Sequence, residues 1–204
     1  RTALVRLRGI LTTGQQQICS GALITNDTVL TAAHCTQGSL SKIEVDAIGT
    51  TVLVTQVNSL NGGASSAGTD LAVLKLATSL SQRTLPILTS QDVQVGDSAI
   101  VAGFGRDSTG SLGNAQAGKV KIASVETVTL TTEYDSTKVN PCEGDSGGPL
   151  LVKVGTEYAI AGVISSGSTI GTTCSNGNYT VYARTYITRA LDLLASAAPF
   201  ARFK

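Results

Sequence analysis

Eight consecutive residues, Cys142-Glu143-Gly144-Asp145-Ser146-Gly147-Gly148-Pro149, carry the parts of a nucleophilic site. A serine hydroxyl is a poor nucleophile until a positioned base removes its proton. Acyl transfer also needs donors aimed at the oxyanion that develops. Gly144 permits a backbone turn that a side chain would obstruct, letting the N–H groups of Gly144 and Ser146 converge on one point. Gly147 and Gly148 leave room for close backbone approach, and Pro149 stiffens the start of the next strand. Taken alone, Gly-Asp-Ser-Gly is an ordinary turn; the eight residues together argue for a site. His34 is the only histidine in the chain, so any histidine-dependent chemistry falls to it. Asp70 directly precedes the apolar run 71–76, at the edge of a core where a carboxylate needs a partner.

These residues must be held by a scaffold, and the pattern around them is that of short strands. Segments 4–10, 18–24, 29–32, 43–48, 52–57 and 71–76 read as strands in the first half. Segments 98–103, 119–128, 150–154, 157–164 and 179–184 read so in the second. Turn residues such as Gly14, Asn26-Asp27, Asn61-Gly62-Gly63, Gly110, Gly155 and Gly177 separate them. Many short strands with 22 glycines point to an all-β sandwich or barrel, and the pattern does not choose between those two. One segment differs: Ile187, Ala190, Leu191, Leu194 and Ala198 have helical spacing, which predicts a C-terminal helix over about 187–198 with Thr188 as N-cap. The stretch 88–96 is the candidate boundary between two units.

Composition narrows the partners. The net charge is +1 with 14% charged residues, so no basic stripe exists to neutralise nucleic-acid phosphates or an anionic membrane. Arg1, Arg6 and Arg8 are interleaved with apolar residues and read as an exposed strand edge. No apolar run reaches the length of a membrane span. Arg6 and Arg8 interrupt any signal-peptide stretch, so the chain reads as mature or trimmed. Four cysteines suit two disulfides and an oxidising compartment; they permit three connectivities. One histidine and no close cysteine pair argue against metal binding.

The eight-residue segment closely resembles the active-serine motif of the trypsin and chymotrypsin family. Thr31-Ala32-Ala33-His34-Cys35 resembles that family's histidine motif, and Asp70-Leu71-Ala72-Val73-Leu74-Lys75-Leu76 its aspartate motif. The order His, Asp, Ser is also the family's. The resemblance implies two six-stranded antiparallel Greek-key barrels, residues 1–92 carrying His34 and Asp70 and residues 93–204 carrying Ser146 and the C-terminal helix. It implies a secreted serine endopeptidase in which Ser146 attacks, His34 is the base and Asp70 orients it, with the Gly144 and Ser146 N–H groups as oxyanion hole. It pairs Cys19 with Cys35 and Cys142 with Cys174. Ser165-Ser166-Gly167 resembles the strand on which substrate adds, with Ser165 placed to donate to Asp70. No cofactor or metal is required. The expected partners are a protein or peptide substrate and protein inhibitors, with no nucleic acid or membrane, and the chain is read as a monomer.

Two features depart from that pattern. The position of the pocket floor is Asn140, where trypsin-like members carry Asp, and the facing Thr180 narrows the pocket; a neutral primary specificity follows. Glu143 lines the pocket mouth and reads as a solvated rim charge. The chain opens Arg1-Thr2-Ala3-Leu4, without the family's usual motif whose freed amine pairs with the aspartate before the serine. Here that aspartate is Asp145, and Arg106 is the nominated substitute cation, since residues 99–102 offer none. The alternative reading is a latent or non-enzymatic binding homologue of the same fold.

Overall fold

Valine, isoleucine, leucine and threonine dominate the strand segments, and β-branched side chains suit the pleated, half-buried surfaces they line. The computed structural model describes residues 2–60, 66–89, 93–133, 140–169 and 177–204. Within these, β1 (Leu4–Leu11), β2 (Gln16–Thr25), β3 (Thr28–Thr31), β4 (Leu40–Ala47), β5 (Thr50–Ser59) and β6 (Ala72–Leu76) close into one barrel in the order β1-β2-β3-β6-β5-β4. The second barrel comprises β7 (Ser98–Gly103), β8 (Gln116–Val125), β9 (Thr129–Glu133), β10 (Pro149–Val154), β11 (Glu157–Thr169) and β12 (Gly177–Arg184). Its order, β7-β8-β9-β12-β11-β10, repeats that of the first barrel six strands later. Every named strand pair is antiparallel.

The strand β9 has no counterpart in the sequence reading. Its residues Thr129, Thr131, Thr132 and Glu133 surround one leucine, so the apolar signal is thin. What holds it is pairing on both sides, to β8 and β12, and a buried hydrogen bond of 3.0 Å between Thr132 and the Tyr182 hydroxyl. Arg6 and Arg8 do not lie on an edge either, because closure leaves β1 paired to both β2 and β4. Both guanidinium groups bind Asp46 across the β1–β4 pair. Burial alone would raise the Asp46 carboxyl, but hydrogen bonds from Arg8, Thr51 and Arg6 hold it down at about 2.

Each barrel has its own core, with Leu7, Leu23, Leu30 and Leu74 fully buried in the first and Ile122, Leu130, Leu150 and Tyr182 in the second. Each such leucine or isoleucine contributes about 2 kcal/mol relative to exposure. The helix α1 (Thr188–Ala197) follows the second barrel but buries Ala190 and Leu194 in the core of the first. Ile187, in extended conformation, occupies the N-cap; Thr188, expected there, is the first helical residue and makes no capping bond. Among the described residues no helix is long and apolar enough to cross a membrane.

The strand that matters most for the site is β2. From Cys19 to Ile24 every residue is buried, breaking the in–out alternation of a barrel strand. One face fills the first barrel, and on the other Ser20 bonds to the backbone of the segment preceding β10. The barrels meet there.

Candidate active site

The chain leaves β3 into a 3-10 turn, Ala33–Thr36, that presents His34. Cys35 in that turn is disulfide-bonded to Cys19 of β2, which braces the turn against the barrel wall. A second 3-10 turn, Ala67–Thr69, ends at Asp70, immediately before the apolar start of β6. The two turns bring His34 and Asp70 together. Asp70 Oδ2 lies 2.7 Å from His34 Nδ1, and Asp70 Oδ1 accepts the His34 backbone N–H at 2.8 Å. The ring and its own backbone are thus tied to one carboxylate, which fixes the imidazole's orientation.

A third donor arrives from the other barrel. The register of β11 against β12 shifts between Ile164 and Ser166, leaving Ser165 in a bulge. Bulges re-aim side chains, and this one directs the Ser165 hydroxyl to Asp70 Oδ2 at 2.6 Å. Asp70 is only 2% exposed. Burial alone would push its carboxyl up, but the bonds from His34, Ser165 and the His34 backbone outweigh that and hold it below the ordinary carboxylate range.

Ser146 sits in the turn before β10. Gly144 has φ +93°, open to glycine and strained for other residues. Gly147 is needed for space: a Cβ there would lie 2.3 Å from the Ser20 carbonyl oxygen. Among the described residues no acceptor takes the N–H of Gly144 or of Ser146, so both remain available to a bound oxyanion. No hydrogen bond joins Ser146 Oγ to His34 Nε2. The two segments meet over the disulfide, with Cys35 Sγ 3.7 Å from His34 Nε2 and 3.6 Å from the Ser146 carbonyl oxygen. A hydrogen bond between a nucleophile and its base is often long or poorly aligned until substrate is bound. Cys19, His34 and Cys35 also gather metal-type donor atoms within 4.8 Å, but the disulfide consumes both thiolates.

Asp145 is held differently. Its carboxylate accepts backbone N–H groups from Gly105 at 2.7 Å and Cys142 at 2.8 Å. Among the described residues no cation reaches it. The nominated Arg106 turns away, its guanidinium bonding to Glu143 at 3.1 Å and to the Gly110 carbonyl at 2.8 Å. Gly103 and Gly105 pack against Asp145 so closely that a Cβ on either would meet its carboxylate, and Arg106 lines the same small cavity as Asp145 without pairing with it. Burial outweighs the two backbone bonds and raises the Asp145 carboxyl above its ordinary value.

The remaining sequence-selected residues fall around this centre. Asn140 and Asp145 line a cavity of about 20 Å³ together with Pro141, Gly103 and Gln116. Thr180 is buried and pairs in register with Gly167; nearby, the Tyr182 hydroxyl is pushed up by burial. Ser166 and Gly167 are exposed on β11, and the Glu143 side chain is 74% exposed with Arg106 beside it. Cys142 is disulfide-bonded, while Cys174 lies outside the described residues. Sequence reasoning missed Ser20 and the amides of residues 104–106, which hold the serine turn. Their signal was weak: a lone polar residue inside the run from Cys19 to Ile24.

Comparison with known proteins gives the family and the fold. The sequence model of the trypsin family matches residues 5–193. A trypsin-like protease of Streptomyces glaucescens is 29% identical, over 79% of this chain and 69% of the relative. Trypsin delta of Drosophila erecta is 30% identical over 81% and 73%, and chymotrypsin-like elastase family member 1 of Bos taurus 29% over 87% and 79%. The crystal structure of a thermostable serine protease from an extremophilic microorganism shares the fold, with TM-score 0.77, 16% identity and 97% of each chain covered.

Proposed function

This chain belongs to the trypsin family and is a chymotrypsin-like serine protease; we propose that it cleaves peptide bonds with Ser146, His34 and Asp70 through an acyl-enzyme. The Ser146 oxygen attacks the scissile carbonyl while its proton passes to His34 Nε2. The N–H groups of Gly144 and Ser146 stabilise the oxyanion. His34 then protonates the departing amine, and water hydrolyses the ester by the same steps. Asp70 orients the ring and stabilises the imidazolium. The observation that carries this reading is the three-donor clamp on Asp70, with its 2.7 Å contact to His34 Nδ1. The test is labelling with a fluorophosphonate: wild type reacts and Ser146→Ala does not. Equal labelling of both proteins would overturn it.

Substrate is read as adding to the exposed residues Ser166 and Gly167 as an extended strand. The neutral Asn140 floor and the buried Thr180 favour a small or medium neutral side chain at the cleavage site, and Arg106 offsets the rim charge of Glu143. Cleavage-site profiling in a peptide library checks this, and a sharp preference for Lys or Arg would sink it. The Cys19–Cys35 disulfide supports a secreted, extracellular enzyme. The units are divided at 92/93, and the enzyme acts as a monomer.

A second reading has one observation in its favour: Asp145 has two backbone donors and, among the described residues, no cation. On that reading the chain is latent, and the same fluorophosphonate experiment separates it, since a latent protein stays unlabelled.

A further inference from the structure

Ser20 is fully buried on β2, in the first barrel, and it is bonded to both residues proposed to supply the oxyanion donors. Its N–H donates to the Ser146 carbonyl at 2.8 Å, and its hydroxyl donates to the Gly144 carbonyl at 2.9 Å. The same hydroxyl oxygen accepts the Phe104 N–H at 2.8 Å, and the Ser20 carbonyl accepts the Thr31 hydroxyl at 2.7 Å. Every hydrogen-bonding group of this serine is engaged. No other part of the mechanism uses its hydroxyl.

The geometry around Gly144 shows what that hydroxyl does. A glycine at φ +93° has no Cβ to restrict the peptides on either side. The peptide before it is held because the Glu143 carbonyl accepts the Arg106 N–H at 2.8 Å. The peptide after it is held at its carbonyl by the Ser20 hydroxyl and at its N–H by the Cys142 carbonyl, which accepts from Asp145 at 3.0 Å. With both neighbours pinned, the Gly144 N–H keeps one direction. Three successive amides leaving β7 feed the arrangement: Phe104 binds Ser20, Gly105 binds Asp145, and Arg106 binds Glu143.

We propose that Ser20 is a positioning residue, whose hydroxyl locks the Gly144–Asp145 peptide from the first barrel and thereby aims the Gly144 N–H at the transition-state oxyanion. The proposal rests on the serine-protease reading of the site. It extends that reading to a residue outside all three motifs. Because the lock acts on a donor that matters most in the transition state, losing it lowers kcat and leaves KM nearly unchanged.

Ser20→Ala tests this on the full chain with a peptide substrate of matched sequence. Removing an oxyanion donor outright costs about a hundred- to a thousandfold, so misaiming one is expected to cost about thirtyfold in kcat. A peptide aldehyde, whose adduct places an oxyanion in the hole, should lose affinity by a similar factor. The corresponding peptide alcohol, which forms no adduct, should bind as before. Thr185→Val is the control: it removes another buried hydroxyl-to-carbonyl bond, to Ile160, away from the site, and should lower Tm without lowering kcat. If the alanine protein does not accumulate, the isosteric pair Ser20→Thr and Ser20→Val asks the same question, with threonine retaining kcat and valine losing it.

Unchanged kcat and aldehyde affinity in Ser20→Ala, a loss confined to KM, or an equal loss of kcat in Thr185→Val would each overturn the proposal. Failure of the underlying reading looks different, because then the wild-type protein itself takes no fluorophosphonate label.

Discussion

The two barrels each bring a carboxylate to the cleft, and they treat it in opposite ways. The Asp70 carboxyl, although buried, is held below the ordinary range, whereas burial raises the Asp145 carboxyl above it. The difference is the donor set. Asp70 collects the His34 ring, the His34 backbone and the Ser165 hydroxyl, while Asp145 has two backbone amides. Burial pushes both carboxyls up, and the number and kind of donors decide which of them is brought back down. The histidine half of the site is electrostatically complete within the described residues. The serine half is held by a mesh of backbone bonds around a carboxylate that, among the described residues, no cation reaches.

The largest expected effect asks whether these unlike halves nevertheless work as one unit. Ser146→Ala and His34→Ala should each lower kcat by about a millionfold, and the double variant by no more. Losses that add, measured on one peptide substrate, would mean the halves act separately. Next comes Asp70→Asn, which keeps the shape but breaks the ring's anionic partner. It should cost about ten-thousandfold in kcat with little change in fold by circular dichroism. A loss below tenfold would show that the clamp on Asp70 is not what orients His34.

The serine half can be disturbed without touching a proposed catalytic residue. In Gly105→Ala the new Cβ would lie 2.4 Å from the Asp145 carboxylate, so the backbone of one must move. Urea denaturation should register about 1–3 kcal/mol of lost stability, together with slower fluorophosphonate labelling. Retention of both would mean that the Asp145 cradle is looser than its geometry indicates.

The smallest effects lie in pH. A carboxyl lowered in the fold, as at Asp70, adds stability above its unfolded value, near 4, that is lost as pH falls through the folded value. A carboxyl raised in the fold, as at Asp145, does the reverse. Its contribution is complete below the unfolded value and is lost as pH rises through the folded value. Between about 4 and that raised value, Tm should therefore rise on acidification, and Asp145→Asn should flatten this limb. Ser165→Ala should move the Asp70 limb to higher pH by removing a donor. If both variants shift Tm along the same limb, the contrast between the two carboxylates is lost.

Much of this was legible in the chain. The motifs around His34, Asp70 and Ser146 are contiguous, and turn chemistry such as Gly144 acts within a few residues. Apolar runs announced eleven strands, but Thr129–Glu133 stayed hidden because its polar threonines gain their place from β8 and β12 alone. Arg106 looked like a partner for Asp145 by nearness in sequence. In the fold its guanidinium bonds Glu143 and the Gly110 carbonyl instead.

What the sequence by itself determined, then, is an all-β chain and three motifs whose resemblance to the trypsin and chymotrypsin family implies the two-barrel plan, since residue type, turn propensity and strand alternation are short-range and left sandwich and barrel open. Only the tertiary structure decided who supports them. Ser20 meets Gly144 across 124 positions and Phe104 across 84, and Ser165 meets Asp70 across 95. Hydrogen bonds of that span leave no trace in local pattern, because each donor finds its acceptor only after two barrels have closed and packed together.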